Sequence, residues 1–246
     1  MKTRTWITAA AALTLIIGTV HAEEASRNVV GFARVDLAPG YNLVAYNWNA
    51  GTEDGRVSVQ ELFNTARMQA SRSPRRADNL IFWDTGAQQY VTLWLGESGR
   101  WLDDEGIESS RTVGRGEAFW VVSRASEAMT QFVRGTLPSA ESEVARTFGE
   151  GYTLFGRSFP VSTPVNELDW TGAVGARNPS RADSIIFWDV EQQRYVTLWR
   201  GLSGKWLDEA GVEASTVLPA GVGVWYVRRG GEGDFSWSET NAGAND

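Results

Sequence analysis

The chain has 246 residues, a formal net charge of −7, no cysteine and a single histidine, His21. The lack of cysteine excludes disulfides, thiol chemistry and Cys-His nucleophiles, and beyond residue 21 the lack of histidine excludes a Ser-His-Asp triad and the usual zinc or haem ligation. An acidic surface disfavours nucleic acid and anionic membranes, so we expect neither as a partner.

Residues 1–22 are predicted to be a secretory signal peptide. Lys2 and Arg4 form a positive start, and an apolar stretch over residues 6–20 follows. The segment 20–22 then ends at Ala22 with small residues at the two positions that a signal peptidase reads. The apolar stretch is shorter than the roughly 20 residues that span a bilayer, so we expect cleavage near Ala22 and no membrane insertion. Loss of the two basic residues takes the net charge to −9. The mature chain is expected in the periplasm, on the cell surface or outside the cell.

Alternation of apolar and polar residues, with many β-branched and aromatic side chains, predicts a mainly β fold. In the first half the predicted strands cover residues 29–37, 41–48, 79–84, 90–95, 118–124 and 130–137. In the second half they cover residues 144–148, 152–159, 184–189, 195–199, 223–229 and 234–238. Helical spacing predicts a helix over residues 57–67, with a shorter counterpart at 165–170. Residues 241–246 are predicted to be a disordered tail.

The two halves of the chain repeat one another. Residues 76–84 recur as residues 181–189, and the segment from Tyr90 to Trp94 recurs as Tyr195 to Trp199, at a constant shift of 105 residues. A fixed period indicates an internal repeat. We therefore predict two tandem homologous β modules, residues 23–138 and 139–240, of small barrel or sandwich type. Each is expected to hold one short helix, and the two form a pseudo-twofold repeat. Two separate modules and one fused domain both satisfy this pattern.

A further pattern accompanies the repeat. A Gly-Tyr-x-Leu start is followed by an aromatic-Trp-Asp strand, a tyrosine in the next strand, and a Gly-x-Gly signature before an aromatic-Trp-Val strand. The matching segments are residues 40–44, 81–84, Tyr90 and 114–121, and then 151–154, 186–189, Tyr195 and Trp225. This arrangement resembles tandem β modules in secreted proteins of Verrucomicrobia-type bacteria. The glycine signature departs from the pattern at residues 219–223. The resemblance implies a fold and carries no assigned activity.

One repeated strand is a candidate for ligand binding. Alternation places Tyr90, Thr92 and Trp94 on one face of their strand, and the second copy keeps these identities as Tyr195, Thr197 and Trp199. This face can be core, packed against another sheet while the Val/Leu face reaches solvent at one end. The alternative is an aromatic platform for sugar rings or other apolar ligand faces, although aromatic stripes are more often core.

A repeated loop is the second candidate. Trp101 and Asp103 recur as Trp206 and Asp208 between glycines, with a basic residue before them and carboxylates after them. We expect both tryptophans to be at least partly exposed. The loop can be a solvated acidic turn with a Trp that plugs the sheet end, a carbohydrate site, or a calcium site. The candidate calcium ligands are Asp103, Asp104, Glu108, Asp208, Glu209 and Glu213.

These observations favour a secreted, non-enzymatic binding module that needs no cofactor. Its partner would be a polysaccharide or another surface protein, bound through the repeated Trp/Asp loops. The alternative is a structural or surface-assembly protein without a small-molecule ligand. A glycoside hydrolase needs only a pair of carboxylates, but two equal copies argue against a single asymmetric catalytic cleft.

Overall fold

The computed structural model describes residues 30–139, 142–230 and 233–240. The predicted signal peptide and the predicted tail lie outside the described residues. The strands of the first half are β1 Val30–Leu37, β2 Gly40–Tyr46, β3 Val57–Ser58, β4 Asn79–Asp84, β5 Gln89–Leu95, β6 Trp101–Leu102, β7 Thr112–Val113, β8 Glu117–Ser123 and β9 Met129–Thr136. Those of the second half are β10 Glu143–Phe148, β11 Gly151–Gly156, β12 Thr163–Pro164, β13 Ser184–Asp189, β14 Arg194–Arg200, β15 Trp206–Leu207, β16 Val217–Leu218, β17 Gly223–Arg228 and β18 Phe235–Thr240.

The mainly β prediction is confirmed. Every long strand matches a predicted strand to within a few residues. The two-residue strands were not predicted, because two residues are too few to show an alternating pattern. Two of them, β6 and β15, begin the segments that were expected to be loops around Trp101 and Trp206.

The prediction of one short helix in each half is correct only for the first half. There, α1 covers Val59–Leu62 and a 3-10 turn covers Thr65–Arg67. The Ser58 side chain caps α1 by accepting a hydrogen bond from the Gln60 amide. Among the described residues, the counterpart in the second half is only a 3-10 turn, Val165–Glu167. Its N-cap residue is a proline, which makes no side-chain hydrogen bond to the turn.

The described strands form one large sheet, two long ribbons and two short two-stranded pairs, β3-β7 and β12-β16. β1 pairs with β9, and β10 pairs with β18, so the first and last strands of each half form an antiparallel ribbon. The large sheet has ten strands in the order β15-β14-β13-β17-β11-β8-β4-β5-β6, with β2 also paired to β8. This sheet is open, and it runs through both halves because Phe155 of β11 pairs with Glu117 of β8.

Each half has its own hydrophobic core between its ribbon and its part of the sheet. On β8 the buried pair that faces this core is Phe119 and Val121, and on β17 it is Val224 and Tyr226. The exchange of large-small for small-large preserves volume in a close-packed interior.

A third core joins the two halves on the opposite face of these strands. It contains Leu43, Ala45, Ala118, Trp120, Leu154 and Trp225. The contact is close: a Cβ added to Gly156 would lie 2.1 Å from the Cβ of Ala45, so only glycine fits there. The two halves therefore pack directly on one another, and their shared surface positions the site described next.

Candidate functional site

The tryptophans of the two repeated loops are not exposed. Trp101 and Trp206 each have 0 % of their surface accessible, and each belongs to the core of its own half. The expectation of partial exposure is therefore wrong. These indoles fill the end of the sheet, so they present no surface on which a sugar ring could stack, and binding through the Trp/Asp loops loses its main support.

Hydrogen bonds between side chains and the backbone hold these loops in shape. The Gln60 side chain donates to the carbonyl of Trp101 and accepts from its amide, each at 2.9 Å. Asp103 accepts hydrogen bonds from two backbone amides of its own turn through one carboxylate oxygen, and its carbonyl accepts from the indole of Trp94 at 2.9 Å. The second half repeats these contacts with Asn166, Trp206, Asp208 and Trp199. The conservation of type in both copies thus has a structural cause.

The carboxylates proposed as calcium ligands do not converge. Glu108 pairs with Arg100, and Glu213 pairs with Lys205 at 3.3 Å, both at the surface. Within the described residues, no group of three or more histidine, cysteine, aspartate or glutamate side chains could hold a metal ion. The loops therefore form no calcium site from these side chains.

The repeated strand face behaves differently. Tyr90 and Tyr195 are 55 % and 51 % exposed. The opposite face of β5 is core, because Leu93 and Leu95 are buried in the first half. The core interpretation of the Tyr-Thr-Trp face is wrong for the two tyrosines, which lie at an open surface, whereas Trp94 is partly buried against the core of the first half.

The tips of the two longest hairpins clasp the opposite half. In the β4-β5 hairpin, Trp83 donates its indole N–H to the Tyr152 carbonyl at 2.8 Å, and Gln88 donates to the same carbonyl at 3.0 Å. The Tyr152 amide returns a hydrogen bond to the Gln88 Oε1 at 3.0 Å. Gln88 has a positive φ of 50°, which turns its side chain toward β11.

The β13-β14 hairpin makes the same contacts in the other direction. Trp188 and Gln193 both donate to the Tyr41 carbonyl, at 2.9 and 3.3 Å, and the Tyr41 amide donates to Gln193. Gln193 has a φ of 49°. We call these reciprocal contacts the hairpin clasp. They fix each hairpin beside a tyrosine of the other half and set the width of the space between the halves.

That space is an aromatic groove of two cavities, each built from both halves. The first has a volume of about 460 Å³ and is lined by Tyr41, Ile81, Tyr90, Thr92, Trp120, Trp188 and Tyr195. The second has a volume of about 470 Å³ and is lined by Trp83, Tyr90, Tyr152, Ile186, Tyr195, Thr197 and Trp225. Each residue of one cavity has a partner of the same type in the other, and Tyr90 and Tyr195 line both.

Edge-to-face contacts hold the rings of the groove in place. Trp120 lies against Trp188 with centroids 5.2 Å apart, and Trp83 lies against Trp225 at the same distance. Tyr90 also contacts Trp83 at 4.9 Å. Burial, and next the nearby Tyr152, raises the pKa of Tyr90, so its hydroxyl stays protonated at neutral pH and can both donate and accept. The groove therefore offers fixed aromatic walls with neutral hydroxyl groups.

The alternation pattern placed four groove residues on a candidate binding face, namely Tyr90, Thr92, Tyr195 and Thr197, and did not identify the remainder. Trp94 and Trp199 share that strand face but do not line either cavity. The missed residues did carry a signal, since every groove position has the same residue type in both copies. These residues are Tyr41, Ile81, Trp83, Trp120, Tyr152, Ile186, Trp188 and Trp225.

Comparison with protein-family models and with curated proteins finds no match for this sequence. Among the described residues, no helix has the length and apolar character needed to cross a membrane. Function is therefore inferred from the groove.

Proposed function

We propose that this chain is a secreted, non-enzymatic binding module that recognises a carbohydrate or a cell-surface polymer through the aromatic groove. The observation that carries the proposal is the exposure of Tyr90 and Tyr195 at the centre of two concave, aromatic cavities. Concave sites with aromatic walls and a few polar groups are the usual places where proteins bind ligands.

The chemistry of the groove suits sugar rings. The apolar face of a pyranose ring packs against an aromatic ring, and its hydroxyl groups pair with side-chain hydroxyls. Tyr90 and Tyr195 supply both a ring and a hydroxyl, and Thr92 adds a further hydroxyl at the wall. The clasp holds these walls in position before a ligand arrives, which lowers the entropic cost of binding.

The lining also favours a binder over a glycoside hydrolase. Hydrolysis of a glycosidic bond requires a pair of carboxyl groups, one on each side of the bond. None of the residues that line the two cavities is an aspartate or a glutamate. Secretion is part of the proposal because residues 1–22 have the pattern of a signal peptide.

The alternative of a surface-assembly protein has one observation in its favour. The outer face of the first ribbon exposes Phe32 and Phe132, whereas that of the second ribbon exposes small residues such as Ala145 and Ser238. An exposed aromatic pair on one ribbon only could contact a protein partner. Sedimentation of the wild type and of Phe32→Ser at rising concentration would reveal such association.

Affinity electrophoresis in gels that contain neutral glucan, mannan or xylan tests the main proposal. We expect one of these polymers to retard the protein, and we expect the Tyr90→Ala/Tyr195→Ala double variant to migrate as in a polymer-free gel. The matched control is Phe32→Ala/Phe132→Ala, which removes two exposed rings outside the groove and should leave the retardation unchanged. Equal retardation of both double variants would place binding elsewhere, and no retardation by any polymer would refute the proposal.

A further inference from the structure

The two cavities of the groove share their central walls. Tyr90 and Tyr195 line both the cavity of about 460 Å³ and the cavity of about 470 Å³. Because both side chains form walls of both cavities, two separate ligands would meet at these two tyrosines. A single chain that runs through both cavities makes use of both tyrosines.

The lining carries no formal charge. Each cavity is built only from tyrosine, tryptophan, isoleucine and threonine side chains. The chain as a whole has a net charge of −7, so a polyanion approaches it against a net repulsion. A polycation finds no carboxylate in the lining with which to pair. The groove therefore matches a neutral ligand that has flat apolar faces and hydroxyl groups.

The two cavities also match one another. Trp120 of the first corresponds to Trp225 of the second, and Thr92 corresponds to Thr197. The ring distances repeat as well, since Trp188 lies 4.9 Å from Tyr195 and Trp83 lies 4.9 Å from Tyr90. Two neighbouring cavities with the same lining match a ligand made of repeated similar units.

We infer that the groove binds one linear, neutral polysaccharide chain that spans both cavities, with Tyr90 and Tyr195 against its central units. This inference rests on the proposed function and goes further, because it fixes the charge class of the ligand and a stoichiometry of one chain per protein. A duplicated module would otherwise be expected to carry two independent sites. Here both cavities draw on both halves, so the duplication yields a single longer site.

Isothermal titration calorimetry with β-1,4-linked gluco- and manno-oligosaccharides, from disaccharide to hexasaccharide, tests the inference. We expect one oligosaccharide per protein at the longer lengths. Affinity should rise on the order of a hundredfold between the disaccharide and the shortest chain that reaches both cavities, because the second contact becomes intramolecular. Beyond that length the affinity should level off. Oligogalacturonates of equal length provide the charged comparison and should bind more weakly.

Two variants sharpen the test. Tyr90→Ala and Tyr195→Ala should each weaken binding of the hexasaccharide by similar factors, because each residue serves both cavities. Phe132→Ala should not change it. Near-ultraviolet circular dichroism of each variant checks that the fold is retained.

The outcomes separate the two proposals. Two oligosaccharides per protein with no dependence on length would overturn the inference and leave the binding function intact. Stronger binding of oligogalacturonate would overturn the neutral class. Absence of binding by every glycan in the calorimeter and in the gels would overturn both.

Discussion

The indole N–H of Trp83 donates a hydrogen bond of 2.8 Å to the carbonyl of Tyr152, which lies on the other half of the chain. Gly151, immediately before this tyrosine, has a φ of +95°, and a Cβ at that position would lie 2.7 Å from the Oε1 of Gln88. The glycine of the Gly-Tyr motif is thus explained by the clasp, since a larger residue would push the glutamine away from the strand that it holds.

Gly151→Ala should therefore destabilise the protein beyond the cost of its backbone conformation. A left-handed conformation costs a non-glycine residue about 1–2 kcal/mol, and displacement of Gln88 adds to this. Gly106→Ala is the matched control, because Gly106 has a φ of +80° and nothing within 4 Å of an added Cβ. Urea unfolding of both variants measures the difference. Equal losses would show that the clasp contributes nothing to stability.

Trp206→Ala should destabilise the protein strongly without altering the groove. A fully buried tryptophan leaves a large cavity when truncated, and such changes cost about 3–5 kcal/mol. Tyr195→Ala, by contrast, removes a half-exposed ring and should cost far less stability while it abolishes binding. Chemical denaturation together with the gel assay gives both readouts. Loss of glycan binding in folded Trp206→Ala protein would return the loops to consideration as the site.

Two equivalent buried aspartates should respond differently to neutralisation. Asp183 accepts hydrogen bonds from Arg228 at 2.7 Å and from Tyr226 at 2.5 Å, and the side chains of Asp183 and Arg228 are almost wholly buried. Asp183→Asn removes the negative charge of a buried ion pair, and loss of one member of such a pair costs about 3–5 kcal/mol.

Its counterpart Asp78 accepts from the backbone amides of Gln69 and Arg124. Burial raises the pKa of Asp78, so the neutral form is already favoured relative to an exposed carboxyl. We therefore expect Asp78→Asn to be the milder change in urea unfolding at pH 7. A larger loss for Asp78→Asn would contradict this account of the two sites.

Tyr46 should make the protein less stable as the solution becomes alkaline. Burial raises its pKa to about 12 from the ordinary value of 10.0. Between these values the folded state holds more protons than the unfolded state, so the free energy of unfolding falls as pH rises, by up to about 1.4 kcal/mol per pH unit. Tyr226 acts in the same direction, because burial and then Asp183 raise its pKa.

Tyr46→Phe isolates the contribution of Tyr46. The variant loses the hydrogen bond to the Arg134 carbonyl, which lowers stability at neutral pH by about 1 kcal/mol. Between pH 10 and pH 12, however, its unfolding free energy should fall less steeply than that of the wild type. Parallel curves over this range would show that Tyr46 ionises without unfolding.

The sequence predicted the long strands because their alternation is local information. It could not decide which face of β5 is core, since Tyr90 and Leu93 belong to faces that are both apolar. Leu93 is buried in the core of its own half, whereas Tyr90 lies beside Trp225 of the other half, with ring centroids 6.3 Å apart. Contacts between distant parts of the chain therefore decide which face is core.

The tryptophans show the same limit more sharply. Trp101 and Trp120 are both repeated in the second copy, and sequence identity gives them equal weight. One fills the end of a core and the other lines the groove, and only long-range packing separates these roles. The groove itself depends on contacts across more than a hundred residues, such as that of Trp188 with Tyr41, which no local pattern encodes.

The hairpin clasp is self-complementary, because each half offers both a hairpin that donates and a strand that accepts. This is the geometry of an isologous dimer contact, here formed within one polypeptide. Because both halves belong to one polypeptide, each surface stays at a high local concentration around the other, so the assembled groove persists at any dilution of the protein.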